Sequence, residues 1–94
     1  MNTSIMQNLD EGRCYVCGCT RNLELHHAMH GTANRVLAER YHLGILLCRD
    51  HHTGSIGVHS DIVLDNRIKK DAQKAFEAIY GHRKWMETFR KNYL

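Results

Sequence analysis

Proline is absent from this chain of 94 residues, and so is any long apolar run. No stretch approaches the roughly 20 apolar residues of a membrane-spanning helix, so we do not expect a membrane protein. The first thirteen residues are polar and lack the apolar segment of a secretory signal. Because disulfides persist mainly in oxidising compartments, we expect a cytoplasmic protein with reduced cysteines. Two disulfides are the alternative for its four cysteines.

The shortness of the chain limits its hydrophobic core. A domain of 94 residues buries a limited fraction of its surface and often needs a metal ion or a disulfide to stabilise it. All four cysteines, and every histidine except His82, lie between residues 14 and 59. In a reducing setting this crowding favours a metal-binding protein.

Charge is distributed unevenly along the chain, whose net charge is +3. Residues 1–66 carry five basic and seven acidic side chains, whereas residues 67–94 carry eight basic and three acidic ones. A basic segment beside a metal-rich core suits a polyanionic partner such as nucleic acid. A solvated helix face is the alternative interpretation.

The apolar pattern predicts one α+β domain over residues 13–94, preceded by a flexible head at residues 1–12. The predicted elements are a knuckle turn at 14–19, a strand at 23–26, a helix at 33–43, a strand at 45–47 and a loop at 53–58. Thr32 is placed to cap the first helix and Gly44 to end it.

Two packing helices are predicted in the basic tail, residues 66–93, whereas residues 13–60 would hold the knuckle and the core. Apolar residues from Ile68 to Tyr80 keep helical spacing, and Gly81 follows them. Trp85, Phe89 and Tyr93 repeat every fourth position, which predicts a last helix.

Two ligand pairs with a two-residue spacer indicate a structural metal site. They are Cys14-x-x-Cys17 and Cys48-x-x-His51. Such a spacer lets both ligands of one turn reach one ion, and two such turns complete a tetrahedron around zinc. We therefore predict structural Zn²⁺ on these four residues, with Cys19 or His52 as substitutes for one of them.

The remaining histidines are numerous enough for a second site. If the two strands pair, His26 approaches His52, and a glycine-containing connection can fold His59 back towards them. Three neutral imidazoles that leave coordination positions open are typical of a catalytic metal site. An imidazole can accept a proton from water at neutral pH, so His27 is the candidate base. His30 and His42 are expected to be surface or core histidines.

One geometric condition applies to the pair His26-His27. Neighbouring side chains of a regular strand point to opposite faces. Both histidines can serve one site only if the strand ends, twists or bulges there.

Three stretches resemble the HNH endonuclease family, namely Cys14-Tyr-Val-Cys17, Leu23-Glu-Leu-His-His27 and Ile45-Leu-Leu-Cys-Arg-Asp-His-His52. They cover about half of the chain, which is similar to the short HNH proteins common in phage and prophage genomes. The resemblance implies a zinc-stabilised treble-clef domain with a ββα-metal core, followed here by the two packing helices. It also implies that His27 is the general base and that His26, His52 and His59 bind a catalytic ion.

The chain departs from the family pattern at the name-giving asparagine, which usually stands just before the second strand. That region reads Tyr41-His42-Leu43-Gly44. His42 is one candidate substitute, and Asn34 in the preceding helix is the other.

The implied activity is DNA phosphodiester hydrolysis of low sequence specificity, as nicking or double-strand cleavage, with one divalent ion (Mg²⁺, Mn²⁺, Ni²⁺ or Zn²⁺). The oligomeric state stays open, with a monomer as one option. A non-catalytic zinc module that binds nucleic acid or a protein is the alternative function. Basic side chains would contact the DNA backbone without reading sequence. The candidates are Arg35, Arg40, Lys69, Lys70, Lys74, Arg83 and Lys84.

Overall fold

Two antiparallel strands and four α-helices make up the structure, a computed structural model that describes all 94 residues. In chain order the elements are β1 (Leu23–His27), α1 (Thr32–Arg40), β2 (Gly44–Cys48), α2 (Arg49–His52), α3 (Ile62–Tyr80) and α4 (His82–Phe89). This arrangement confirms the predicted α+β class. None of the helices combines the length and the apolar composition that crossing a membrane requires.

The two strands form a sheet in which Leu23 faces Cys48 and His27 faces Gly44. Both were predicted, and each is slightly longer than predicted. Strand β2 is almost entirely buried, whereas His26 is the one buried residue of β1. The sheet therefore packs on the core mainly through β2. The short helix α2 follows β2 directly and folds back against both strands.

Helix α1 starts and ends earlier than predicted. Its N-cap is Gly31 rather than Thr32. It stops at Arg40 because His42 adopts a left-handed backbone with φ 58° and turns the chain towards the sheet. Gly44 therefore opens β2 rather than ending the helix, which corrects the prediction.

Helix α3 begins before the predicted position because Asp61 caps it. The Asp61 carboxylate accepts hydrogen bonds from the backbone N–H groups of Val63 and Leu64. The apolar pattern missed this first turn because Ile62 and Val63 are exposed and do not continue the buried stripe.

Helix α4 ends at Phe89, short of the predicted Tyr93. Arg90 follows it with φ 61°, a left-handed conformation that ends the helix. The chain then folds back, and the indole N–H of Trp85 donates a hydrogen bond of 2.8 Å to the carbonyl of Lys91. Tyr93 still packs near the Trp85 ring, with the ring centroids 6.4 Å apart.

Residues 1–12, expected to form a flexible head, lie against the start of β2 and the turn before it. The N–H of Ile5 donates to the carbonyl of His42 at 3.0 Å, and the side chain of Gln7 accepts from the N–H of Leu46 at 2.8 Å. Ile5 and Met6 pack on the core. The polar character of this segment thus reflects hydrogen bonds to an open strand edge, which corrects the expectation.

An aromatic cluster joins the two C-terminal helices. Phe76 of α3 packs edge-on against Trp85 and Phe89 of α4, at centroid distances of 5.4 and 5.9 Å. Trp85 is fully buried, as is Phe76. Aromatic pairs of this geometry contribute more than their buried area alone.

We predict that Trp85→Ala lowers the free energy of unfolding by about 3–5 kcal/mol, because it leaves a large cavity in a small core. Val63→Ala serves as the control, because Val63 is 75% exposed at the start of α3. This substitution should change the free energy of unfolding by no more than about 0.5 kcal/mol. Urea unfolding followed by circular dichroism measures both. Equal effects of the two substitutions would contradict the packing described.

Candidate metal centres

Cys14, Cys17, Cys48 and His51 form a group that we term the Cys/His cluster. Their ligand atoms all lie within 4.8 Å of one another. The Cys48 Sγ is 3.2 Å from His51 Nδ1, and the Cys17 and Cys48 sulfurs are 3.9 Å apart. Ligands of a tetrahedral zinc ion, bound at about 2.1–2.3 Å, are separated by about 3.5–3.8 Å. The Cys/His cluster could therefore hold a metal ion such as zinc.

Local structure brings these ligands together from three elements. The knuckle is closed by hydrogen bonds of 2.8 Å from the N–H of Cys14 to the carbonyl of Cys19 and from the N–H of Gly18 to the carbonyl of Cys14. Gly18 has φ 76°, a conformation that favours glycine. A further bond of 2.7 Å, from Tyr15 N–H to the carbonyl of Leu46, holds the knuckle on β2.

The electrostatics of the Cys/His cluster favour a thiolate at Cys14. Burial acts to raise the pKa of the Cys14 thiol, but hydrogen bonds from the backbone N–H groups of Cys17, Cys48 and Val16 lower it to about 6. The thiolate is the form of cysteine that binds metal ions. Cys19 is not one of the four residues, although its thiol interacts with those of Cys17 and Cys48. Its sulfur lies 3.8 Å from the carbonyl of Arg21.

A second group, which we term the histidine cluster, consists of His26, His52 and His59. One ring nitrogen of each lies within 4.8 Å of the others. The ring centroids are 5.1 Å apart for His26–His52 and His52–His59, and 5.6 Å apart for His26–His59. These are the three residues that the sequence predicted for a second site.

His26 has the properties expected of a metal-binding histidine. Its Nε2 is the one buried side-chain polar atom in the structure without a hydrogen-bond partner. Such an atom is costly unless something binds it. Burial, followed by the nearby rings of His52, His30 and His59, lowers the pKa of His26 to about 3. His26 is therefore a neutral imidazole, the form that binds metal ions.

His52 is oriented by a carboxylate. Its Nδ1 lies 3.2 Å from Oε1 of Glu24 on β1. This contact leaves Nε2 of His52 for the histidine cluster. A carboxylate on the far nitrogen is the usual arrangement around a metal-binding histidine.

Gly57 explains how His59 reaches the histidine cluster despite its long spacing from His52. The N–H of Val58 donates a 3.0 Å hydrogen bond to the carbonyl of His51, so the loop packs on α2. A Cβ atom at Gly57 would lie 2.7 Å from the carbonyl oxygen of His52, which is too close. Only glycine permits this approach, and the predicted loop delivers His59 through it.

His27 is held by a residue that the sequence did not indicate. Its Nε2 lies 2.6 Å from Oε2 of Glu39 on α1. The amino group of Met1, and then the His27 ring, lower the pKa of Glu39 to about 2, so this carboxylate is ionised and accepts hydrogen bonds. Glu39 thus accepts a hydrogen bond from Nε2 of His27, and Nδ1 is the ring nitrogen left without a partner. The sequence gives one hint that Glu39 lies near the cleft. It stands four positions after Arg35, so the two residues share a face of α1.

His26 and His27 line one cleft, together with the other rings. The strand ends at His27, so strict alternation of faces stops there. The cleft has a volume of about 230 Å³, and the residues around it are Leu25, His26, His27, His30, Arg35, His52 and His59. His30, expected to be an ordinary surface or core histidine, is thus part of this site.

Neither candidate for the family asparagine lines the cleft. His42 lies in the turn before β2, where its Nδ1 is 3.0 Å from the Thr3 hydroxyl. Asn34 is half-buried on α1. The side chain that contacts His27 is Glu39.

The basic residues predicted to contact the DNA backbone lie in different parts of the surface. Arg35 lines the cleft, whereas Arg40 is exposed on α1 outside it. Lys69 is paired with Asp65 at 2.9 Å and is only 16% exposed. Lys70 and Lys74 line a separate groove on α3, and Arg83 and Lys84 are exposed on α4.

No protein-family model matches the chain, and neither the curated proteins nor the solved structures include a match. The geometry of the two clusters is therefore the basis for any statement about function.

We predict that removing zinc with a chelator abolishes cooperative thermal unfolding, because ion binding in small structural sites contributes about 10–16 kcal/mol. Cys48→Ala should have the same effect. Cys19→Ala, a cysteine of the same knuckle outside the Cys/His cluster, is the matched control and should retain one zinc ion per chain. Metal content and circular dichroism are measured together. If Cys19→Ala loses its zinc while Cys48→Ala keeps it, the ligand assignment is wrong.

Proposed function

We propose that this protein is a metal-dependent DNA endonuclease of the HNH type. The observation that carries the proposal is one cleft that joins His27, oriented by Glu39, to the histidine cluster. A zinc-binding module would need only the four residues of the Cys/His cluster. The buried Nε2 of His26, which has no partner within the chain, supports a second ion.

The proposed fold is a treble-clef domain with a ββα-metal core. The knuckle at residues 14–19, the strands β1 and β2, and helix α2 would form that core, with α1 inserted between the strands. The Cys/His cluster supports this proposal because it links the knuckle to the junction of β2 and α2. Helices α3 and α4 would pack against the core.

His27 would act as the general base of the hydrolysis. Glu39 holds its Nε2–H, so Nδ1 is the nitrogen that takes a proton from water. The water oxygen forms a bond to phosphorus while the bond from phosphorus to the 3′ oxygen breaks. The departing oxygen takes a proton from solvent, which yields a 5′-phosphate and a 3′-hydroxyl.

The histidine cluster would hold the second ion through His26, His52 and His59. When bound, a divalent ion there supplies charge neutralisation at the phosphate and at the departing oxygen. Imidazole donors suit Ni²⁺ and Zn²⁺ better than Mg²⁺, which prefers oxygen ligands.

DNA would be held through its backbone. Arg35 lies in the cleft and could bind a phosphate next to the reacting one. Arg67, Lys70 and Lys74 share a groove of about 510 Å³ on α3, which fits a neighbouring stretch of backbone. Phosphate contacts of this kind position the duplex without reading its sequence, so low sequence specificity follows.

We predict that zinc-loaded protein with added Ni²⁺ or Mn²⁺ nicks supercoiled plasmid, and that His27→Ala lowers the rate at least about 100-fold, since a positioned base contributes about 10²–10⁴-fold. His82→Ala changes an exposed histidine on α4 and should cut at the parental rate. Circular dichroism of both variants checks their folding.

Two outcomes contradict the proposal. Cleavage by His27→Ala at the parental rate removes His27 as the base. Absence of cleavage with every divalent ion, combined with retained DNA binding, favours the non-catalytic zinc module.

We predict that Lys70→Gln and Lys74→Gln each reduce the slope of log binding constant against log salt concentration by about 0.9, because each lost phosphate contact releases one fewer counterion. Binding to a duplex is measured by fluorescence anisotropy in the His27→Ala background. Lys91→Gln is the control, since Lys91 lies over the Tyr93 ring at 5.1 Å rather than in the groove. Equal slopes for all three would exclude this groove as the contact surface.

A further inference from the structure

His30 stands beside the histidine cluster without belonging to its tightest group. Its ring centroid is 5.8 Å from that of His26 and 5.8 Å from that of His59. It lines the same cleft, and its side chain is 37% exposed. Rings that share one ion through bonds of about 2.1 Å have centroids roughly 5.2 Å apart in a tetrahedron and roughly 4.5 Å apart at neighbouring positions of a six-ligand ion. A shift of about 1 Å would bring His30 into that range.

A buried ion pair fixes the orientation of His30. Its Nε2 lies 2.9 Å from Oδ1 of Asp65 on α3, and Oδ2 of Asp65 lies 2.9 Å from the ammonium of Lys69. Lys69 supplies the counter-charge to the Asp65 carboxylate, which accepts a hydrogen bond from Nε2 of His30. Nδ1 is then the nitrogen of His30 that is left for an ion.

Asp65 makes a contact with His30 that its ion pair with Lys69 does not require. The carboxyl side chain is only 5% exposed, and it already has a full counter-charge in Lys69. Its other oxygen lies 2.9 Å from Nε2 of a ring that stands at the edge of the histidine cluster. Carboxylates in this position orient metal-binding histidines and raise their basicity.

We propose that His30 is a fourth protein ligand of the second ion, through Nδ1, and that Asp65 is its orienting carboxylate. This inference rests on the proposed function only in so far as both require an ion at the histidine cluster. Four imidazoles leave room for a substrate oxygen only around an ion of five or six ligands. The site would then favour Ni²⁺ and related ions that accept such geometry with nitrogen donors.

The inference is tested by titrating the zinc-loaded protein with Ni²⁺ in a calorimeter. We expect His30→Ala to bind Ni²⁺ at least about 10-fold more weakly than the parent and Asp65→Asn to lose about 10–100-fold, as for other orienting carboxylates. His82→Ala should bind as the parent does. Thermal unfolding of each variant before Ni²⁺ is added measures any effect on folding separately.

The substitution His30→Gln tests whether His30 binds the ion itself or only supports Asp65. Its amide N–H can still donate to Asp65, but it offers no imidazole nitrogen to an ion. If His30 is a ligand, His30→Gln binds Ni²⁺ as weakly as His30→Ala; if His30 only supports Asp65, His30→Gln binds as the parent does, and the inference is overturned.

His26→Ala distinguishes this inference from the proposed function. Weak Ni²⁺ binding by both His26→Ala and the His30 variants supports both. Weak binding by His26→Ala alone overturns the fourth ligand and leaves the endonuclease proposal standing. Parental binding by all of them means that no second ion site exists, and both proposals fail.

Discussion

The Cys/His cluster is the constraint on which the rest of the structure depends. A two-stranded sheet is at best marginally stable in water, and β1 contributes little buried surface. An ion held by the four residues would tie the knuckle to the junction of β2 and α2, where Cys48 ends one element and His51 belongs to the next. That junction fixes the position of α2, and α2 in turn carries His52 towards β1. The histidine cluster therefore depends on a group of ligands to which it does not itself contribute.

Carboxylates behind imidazoles are the second recurring feature. His27 is paired with Glu39, His30 with Asp65 and His52 with Glu24, and each acid comes from a different element. Each pair occupies one ring nitrogen and leaves the other free, and the acids supply negative charge close to a group that would bind a cation. His26 and His59 have no such partner, and His26 is the most deeply buried ring of the histidine cluster.

Local patterns predicted the parts of the molecule that depend on local spacing. The two-residue spacers indicated the Cys/His cluster, and helical periodicity indicated the buried face of α3 from Ile68 to Phe76. Boundaries failed where a single backbone conformation decides them, as at His42 and Arg90. Glu39 and Asp65 were missed because their contacts with histidines span 12 and 35 positions. No pattern along the chain marks an acid as the partner of a ring so far away.

His51 and His52 are joined by one peptide bond yet face different clusters. A chain whose Cys/His cluster holds no ion would have no fixed direction for either ring, so the two centres would be filled in a set order. In the proposed endonuclease, that order would delay activity until the Cys/His cluster is filled. The proposed activity would then follow the supply of the ion that fills it.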